Sequence, residues 1–365
     1  MLKQYPTARF ILMRAGWYFV TFLVAVTINF YLPRLGPNNP VDIIMAQAGS
    51  GTSREDMRIK EEMYLMEFGL VKMKASRDAG GRAVKEMVRD AEGKPVRASN
   101  FEQFITYLGM CLKGDLGTSF YKQSKKVTDV IKEAVPWTIA LQLPTILFGW
   151  IVGNLLGALA AYRRGVFDKV FFPVALGLSS FPFFVFGMLL VAFFALTLGW
   201  FPPMGGYDNA IPGFNWPFLS SAAHHYVLPF FSIFLILAGG QAIGMRSMGI
   251  YELGTDYIKY AKWLGLRETT VLLYLFRNAM LPQITGLALS LGTMIGGALI
   301  TEMIFSYPGL GMAMLDAVTK NDYPVIQGVT LIITVSVLIA NFTVDILIAF
   351  LDPRVKAGVQ MGKGL

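Results

Sequence analysis

Six apolar stretches of about twenty residues or more divide this 365-residue chain, near 10–32, 137–161, 170–198, 226–247, 279–304 and 326–350. A helix needs roughly 20 residues to cross about 30 Å of hydrocarbon. In hydrocarbon the backbone must satisfy its own hydrogen bonds, as a helix does. The pattern predicts an all-α polytopic membrane protein with six transmembrane helices. Composition agrees: 54% of residues are hydrophobic and 15% charged, against about 25% charged in soluble domains. The first stretch follows Lys3 and Arg9 and runs to Leu32 without a small-residue cleavage pattern, so it reads as a retained span rather than a secretory signal.

Charge in the short loops sets the orientation. The segment 162–169 carries Arg163, Arg164 and Lys169. The loop 248–278 adds Lys259, Lys262, Arg267 and Arg277, and the C-terminal tail adds Arg354, Lys356 and Lys363. Loops 199–225 and 305–325 are poor in basic residues. Lys and Arg gather in cytoplasmic loops, so both termini are expected inside an inner cell membrane. The net charge of +8 then reports orientation, and nucleic acid is not expected as a partner. Three regions follow: 1–32, an N-terminal tail with the first span; 33–136, an external loop or subdomain; and 137–365, a five-helix core with the loop 248–278. Within the external loop, residues 55–90 read as one or two amphipathic helices broken at Gly80-Gly81.

Several chemistries are excluded. One cysteine, Cys111, allows no intramolecular disulfide. The only histidines, His224 and His225, are adjacent and cannot share a face, so no zinc site and no cofactor of this chain is expected. There is no GxxxxGK[ST] phosphate loop and no catalytic constellation. ATP-driven work by this chain would need ATP and Mg bound by another subunit. Within the spans, Ser290, Thr293, Gly297 and Thr301 form a small, polar stripe that ends beside Glu302. It reads either as close helix packing or as part of a translocation path. Gly292 and Gly296 add a GxxxG on a neighbouring face. Asp345, inside the last span, calls for a cationic partner, with Arg246 and Arg277 as candidates.

The segment DYIKYAKWLGLRETTVLLYLFRNAMLP (256–282) is far longer than a connection between two spans requires. Tyr257, Tyr260, Ala261 and Leu264 recur at i, i+3, i+4, i+7 and form an apolar stripe on a short helix. Gly265 suits a left-handed helix end, and Glu268 and Thr269, after Arg267, lie where a second helix begins. The stripe can enter a groove in a partner, pack on the chain's own spans, or lie in the lipid interface.

These residues and others resemble a family. GDLGTSF (114–120), ALAAYRRGVFDK (158–169), LGWFPPMGG (198–206), DYIKYAKWLG (256–265), RNAMLP (277–282), FSYPGLG (305–311), NDYPVIQG (321–328) and VDILIAFLDPRVK (344–356) occur in order with spans between them. Together they resemble the B-type permease subunit of dipeptide/oligopeptide/nickel ATP-binding-cassette importers, over all but roughly 50–100. The resemblance implies a second homologous permease, two ATPase subunits, and an extracytoplasmic substrate-binding protein. It also implies a cytoplasmic coupling helix whose motif, two alanines after an acidic residue and a later glycine, maps its second alanine onto Ala261 and its glycine onto Gly265. Lys259 and Tyr260 depart from the acidic residue and first alanine. Peptides, oligosaccharides and nickel complexes all remain open as substrates. An ion-coupled secondary transporter and a purely structural membrane subunit are the rivals; inverted repeats and broken mid-membrane helices would favour the former.

Overall fold

A computed structural model describes residues 6–32, 54–67, 69–77, 83–119, 121–122, 125–163, 165–208, 211–297 and 299–351. Helices dominate it. Four are long and apolar enough to cross a membrane: α1 (Pro6–Tyr31), α4 (Val127–Arg163), α7 (Trp216–Leu253) and α13 (Tyr323–Leu351). A fifth crossing is available if one bent pair counts as a span. Its arms are α5 (Val166–Ser180) and α6 (Phe183–Leu190), the latter continued by a π-helical segment Val191–Thr197, and they meet at 99°. The span expected over 170–198 is therefore a bent pair of helices and not one continuous helix. Proline disfavours helical backbone in the residue before it; Phe181, before Pro182, is extended at φ −82° and ψ 137°.

The stretch 279–304 also departs from a single span. It comprises the end of α9 (Glu268–Gly292), then α10 (Met294–Gly297) and α11 (Leu299–Ile304) on either side of residue 298. α9 stops at Thr293, whose backbone turns to φ −90° and ψ 2°. Two shorter helices, α8 (Asp256–Trp263) and α12 (Leu310–Thr319), follow α7 and α11.

The contacts divide the chain into two units. The first comprises residues 1–22, 134–312 and 333–365. Its central pair is α4 on α7. Gly149, Gly153 and Gly157 sit one turn apart on α4. A side-chain carbon at Gly153 would come 2.5 Å from the Ala238 carbonyl oxygen, and one at Gly157 would strike the carbonyl of Ala242. The two backbones therefore touch, as small residues permit in lipid. Gly239 on α7 is likewise closed by Ala175 of α5, and Gly249 by Ala161 of α4. The GxxxG of the sequence packs too: Gly292 faces Ala340 and Gly296 faces Ile333, both on α13. Asp345 does find a cation, but it is Arg14 at 3.5 Å, with the Tyr18 hydroxyl donating to it at 2.8 Å. Arg246 instead forks onto Asp168 at 2.5 and 2.6 Å and lies over the Phe172 ring.

The second unit comprises residues 23–133 and 313–332. Phe30 is fully buried there against Tyr31, Phe104 and Tyr107. α2 (Arg54–Glu67) is a helix as expected, but it is followed by an antiparallel pair, β1 (Met73–Arg77) with β2 (Ala83–Met87). Met73 pairs with Met87 and Lys74 with Glu86. The expected second helix is thus corrected to a hairpin, and an all-α fold to one carrying a two-stranded sheet; Gly80-Gly81 lies outside the described residues. Opposite charges and matched apolar residues stabilise directly opposed strand positions, a pairing that helical periodicity does not register. Arg89 clamps Glu62 through two hydrogen bonds of 2.9 and 2.7 Å, which hold that carboxyl below its usual range. Ser99 caps α3 (Asn100–Leu112) in a reciprocal box with Glu102.

Overpacking a filled contact costs about 1–3 kcal/mol. Gly157→Leu is therefore expected to lower the thermal stability of the detergent-purified protein. Gly177→Ala, where nothing lies within 4 Å of the added carbon, should leave it unchanged or raise it. A Gly157→Leu protein as stable as the parent would show that α4 and α7 are not in backbone contact.

Candidate functional site

Two constructions lie at opposite ends of α4. Trp137 belongs to one and Tyr162 to the other, and 25 residues of helix at 1.5 Å each separate them by about 38 Å. That is slightly more than the hydrocarbon thickness of about 30 Å.

The first is a lock around Glu302. This residue has no solvent exposure. Its carboxylate accepts the Gly311 N–H at 2.6 Å, and its carbonyl accepts the Tyr307 N–H at 2.8 Å. The Thr138 hydroxyl oxygen accepts the Leu310 N–H at 2.9 Å. A side-chain carbon on Gly309 would fall on the Glu302 carboxylate, and one on Gly311 would fall on the Leu299 carbonyl. The turn FSYPGLG thus needs glycine at both places because a buried carboxylate and a backbone occupy the space. Ser306, in the same turn, holds a positive φ of 46°.

A second loop closes over that turn. Gly205 donates its N–H to the Phe305 carbonyl at 2.7 Å, and a carbon on Gly206 would come 2.6 Å from Pro308. Tyr207 stacks on Trp137 at 5.8 Å, while Tyr307 meets Trp137 edge-on at 5.5 Å. His225 lies buried below, its Nδ1 2.9 Å from the Ser221 carbonyl and its Nε2 3.6 Å from Asp208; His224 is exposed, with Nε2 2.9 Å from the Trp200 carbonyl. The histidines face apart, as adjacency requires. Among the described residues no cluster of three His, Cys, Asp or Glu side chains could hold a metal ion.

The expected polar stripe is divided by the interruption at Thr293. Ser290 and Thr293 border a cavity, whereas Thr301 and Glu302 are fully buried. Gly297 lies in α10, and its surroundings are outside the described residues. A continuous water-exposed stripe ending at Glu302 is therefore corrected: turning the chain at Thr293 breaks the 3.6-residue spacing that aligned these groups.

The second construction is α8. Ile258 and Ala261 are buried in a cluster with Ala158, Met245, Val271, Leu275 and Ala279 of the chain's own helices. Tyr260, Trp263 and Leu264 are exposed by 60%, 76% and 78%, and Tyr257 by 38%. The stripe expected from spacing is thus split: Ala261 does not share an outward face with Tyr260 and Leu264. An eight-residue helix cannot hold itself in water, so one side must pack on the protein. Ile258, omitted from the stripe, anchors that side. Gly265 takes φ +70°. Its N–H donates to the Lys262 carbonyl at 3.0 Å and that of Leu266 to the Ala261 carbonyl at 3.2 Å, a Schellman end. Arg267 and Glu268 are exposed at the start of α9.

Residues 153–357 match the family described as binding-protein-dependent transport system inner membrane component. The chain belongs to this family. It is a multi-pass permease subunit of the inner membrane, and both constructions fall largely within the matched segment. The di/tripeptide transport system permease of Pseudomonas aeruginosa is 31% identical over 95% of this chain and 98% of its own length. The oligopeptide transport system permease of Bacillus subtilis is 34% identical over 70% and 80%. The glutathione transport system permease of Pectobacterium atrosepticum is 32% identical over 80% and 91%. A broken helix at Phe181-Pro182, a feature expected of the secondary-transporter rival, therefore occurs in a member of the permease family.

In this permease Gly309→Ala is expected to displace the Glu302 carboxylate and lower thermal stability by about 1–3 kcal/mol. Adding Glu302→Ala should restore part of that loss, because the two changes share one contact. Strict additivity of the two effects in thermal unfolding would show that Glu302 does not fill the space over Gly309.

Proposed function

We propose that this chain is the permease of an ATP-driven importer of peptides, pairing with a second, homologous permease to enclose the path. Two cytosolic ATPase subunits bind ATP and Mg and drive it, and an extracytoplasmic binding protein delivers substrate. The carrying observation is α8: a short helix fixed to the bundle by Ile258 and Ala261, with Tyr260, Trp263 and Leu264 left outside. Large exposed apolar and aromatic groups on a rigid support are what a partner's groove takes up. The names of the relatives support peptides as cargo over oligosaccharides and nickel complexes.

On this reading the chain crosses six times with both termini in the cytoplasm. The sixth crossing is the α9–α11 stretch, and α8 faces the cytoplasm. The lock around Glu302 lies at the external end, where binding protein would dock. ATP-driven closure of the ATPases pulls on α8, whose buried side transmits the movement to α4, α7 and α9. The spans then tilt, and the path opens alternately to either side.

Substituting Trp263→Glu is expected to reduce ATPase copurification by roughly thirtyfold, from a loss of about 2 kcal/mol at an aromatic anchor, while the permease stays folded. Ala261→Glu should act differently. It buries an unpaired carboxylate in the permease's own core, costing several kcal/mol, and so should lower permease stability as well as association. If Trp263→Glu leaves both copurification and substrate-stimulated ATP hydrolysis unchanged, α8 is not the docking element. Orientation is tested separately, in a Cys111→Ser background, with an impermeant thiol reagent on intact cells. Cysteine at 80 or 207 should be labelled and cysteine at 163 or 262 protected; the reverse pattern inverts the topology.

A further inference from the structure

A cavity of about 240 Å³ lies in the first unit, bordered by α4, α6, α7 and the interruption after α9. An apolar cavity of ~150 Å³ already holds benzene, whereas sites for whole small molecules begin near ~300 Å³. This volume suits one large side chain with part of its backbone. Phe183, Ile233 and Leu237 supply apolar wall, and among the described residues no charged one lines it. The polar groups are Gln142, Ser290 and Thr293. Ser290 donates its hydroxyl proton to the Gly286 carbonyl at 2.9 Å and Thr293 to that of Leu289 at 3.2 Å, so both can only accept from a guest.

Gln142 decides the matter. It is 4% exposed and lines the cavity. An amide on that wall offers both donor and acceptor to a peptide unit. Thr293 is exposed and gives the cavity a mouth. Two chain interruptions, at Phe181-Pro182 and at Thr293, adjoin it, so its walls can separate without unwinding a continuous helix.

We infer that this cavity is a side-chain subsite on the translocation path, taking an apolar or aromatic side chain of the moving peptide while Gln142 hydrogen-bonds the adjoining peptide group. A charged side chain would enter a site with no counter-charge, which is costly, so the cavity favours uncharged residues. The inference rests on the peptide-import reading above.

The test uses the full transporter in vesicles, with its binding protein. Uptake of diphenylalanine and of diglycine is measured for the parent and for Ile236→Trp, which projects a ring into the cavity. The ratio of diphenylalanine to diglycine uptake is expected to fall at least tenfold relative to the parent; a ratio within twofold overturns the subsite. A dipeptide bearing a photoactivatable phenylalanine analogue, applied to the unaltered protein during turnover, is expected to crosslink within 290–294 or at Gln142. Crosslinks confined to other segments also overturn it, even where Ile236→Trp abolishes all uptake. A parent transporter that moves neither these dipeptides nor tri- and oligopeptides removes the peptide reading itself, and the subsite with it.

Discussion

Where α4 meets α7, two helix backbones touch at Gly153 and Gly157 against Ala238 and Ala242, and Gly149 admits the Leu237 side chain. In lipid there is no hydrophobic gain from bringing apolar helices together, so close van der Waals contact must hold them. This contact fixes α7, and α7 in turn carries α5 at Gly239, the Met245 face that receives α8, and the His225 end beneath the loop over Trp137. Both candidate sites are therefore referred to one rigid helix pair, about a membrane's thickness apart along it.

That arrangement suits a device that couples one face of a membrane to the other. At one end a buried carboxylate accepts the backbone N–H of Gly311 and lies hard against Gly309, so its position is set by space as much as by a hydrogen bond. At the other, a helix too short to stand alone is bolted on by two side chains and offers three large ones. Between them lie the proline bend and the interruption at Thr293. Breaks of this kind inside a membrane are tolerated where protein covers the freed backbone groups, and they give the bundle places to flex.

Family membership and the peptide-type relatives agree with the motifs that run through the chain. The structure adds a reason for two of those motifs. LGWFPPMGG and FSYPGLG lie against one another, with Gly205 and Gly206 admitting Phe305 and Pro308. Each is explained by the other's proximity rather than by its own local conformation.

The sequence by itself determined the membrane class, the approximate places of the long helices, the left-handed turn at Gly265 and the close packing of Gly292 and Gly296. All of these follow from hydropathy or from the local geometry of a single residue type. Two signals were present but outweighed by hydropathy: Pro182, which bends a stretch that reads as one span, and the four-residue spacing of Gly149, Gly153 and Gly157. Tertiary structure alone decided the rest. Which side of α8 faces outward depends on the neighbours that bury Ile258 and Ala261, and periodicity gives a helix faces without saying which is covered. Asp345 met Arg14, 331 positions away in the chain, and Glu302 met Gly309 and Gly311 across a turn. Charge and spacing identify groups that need a partner, but only the packed chain decides which partner comes within reach.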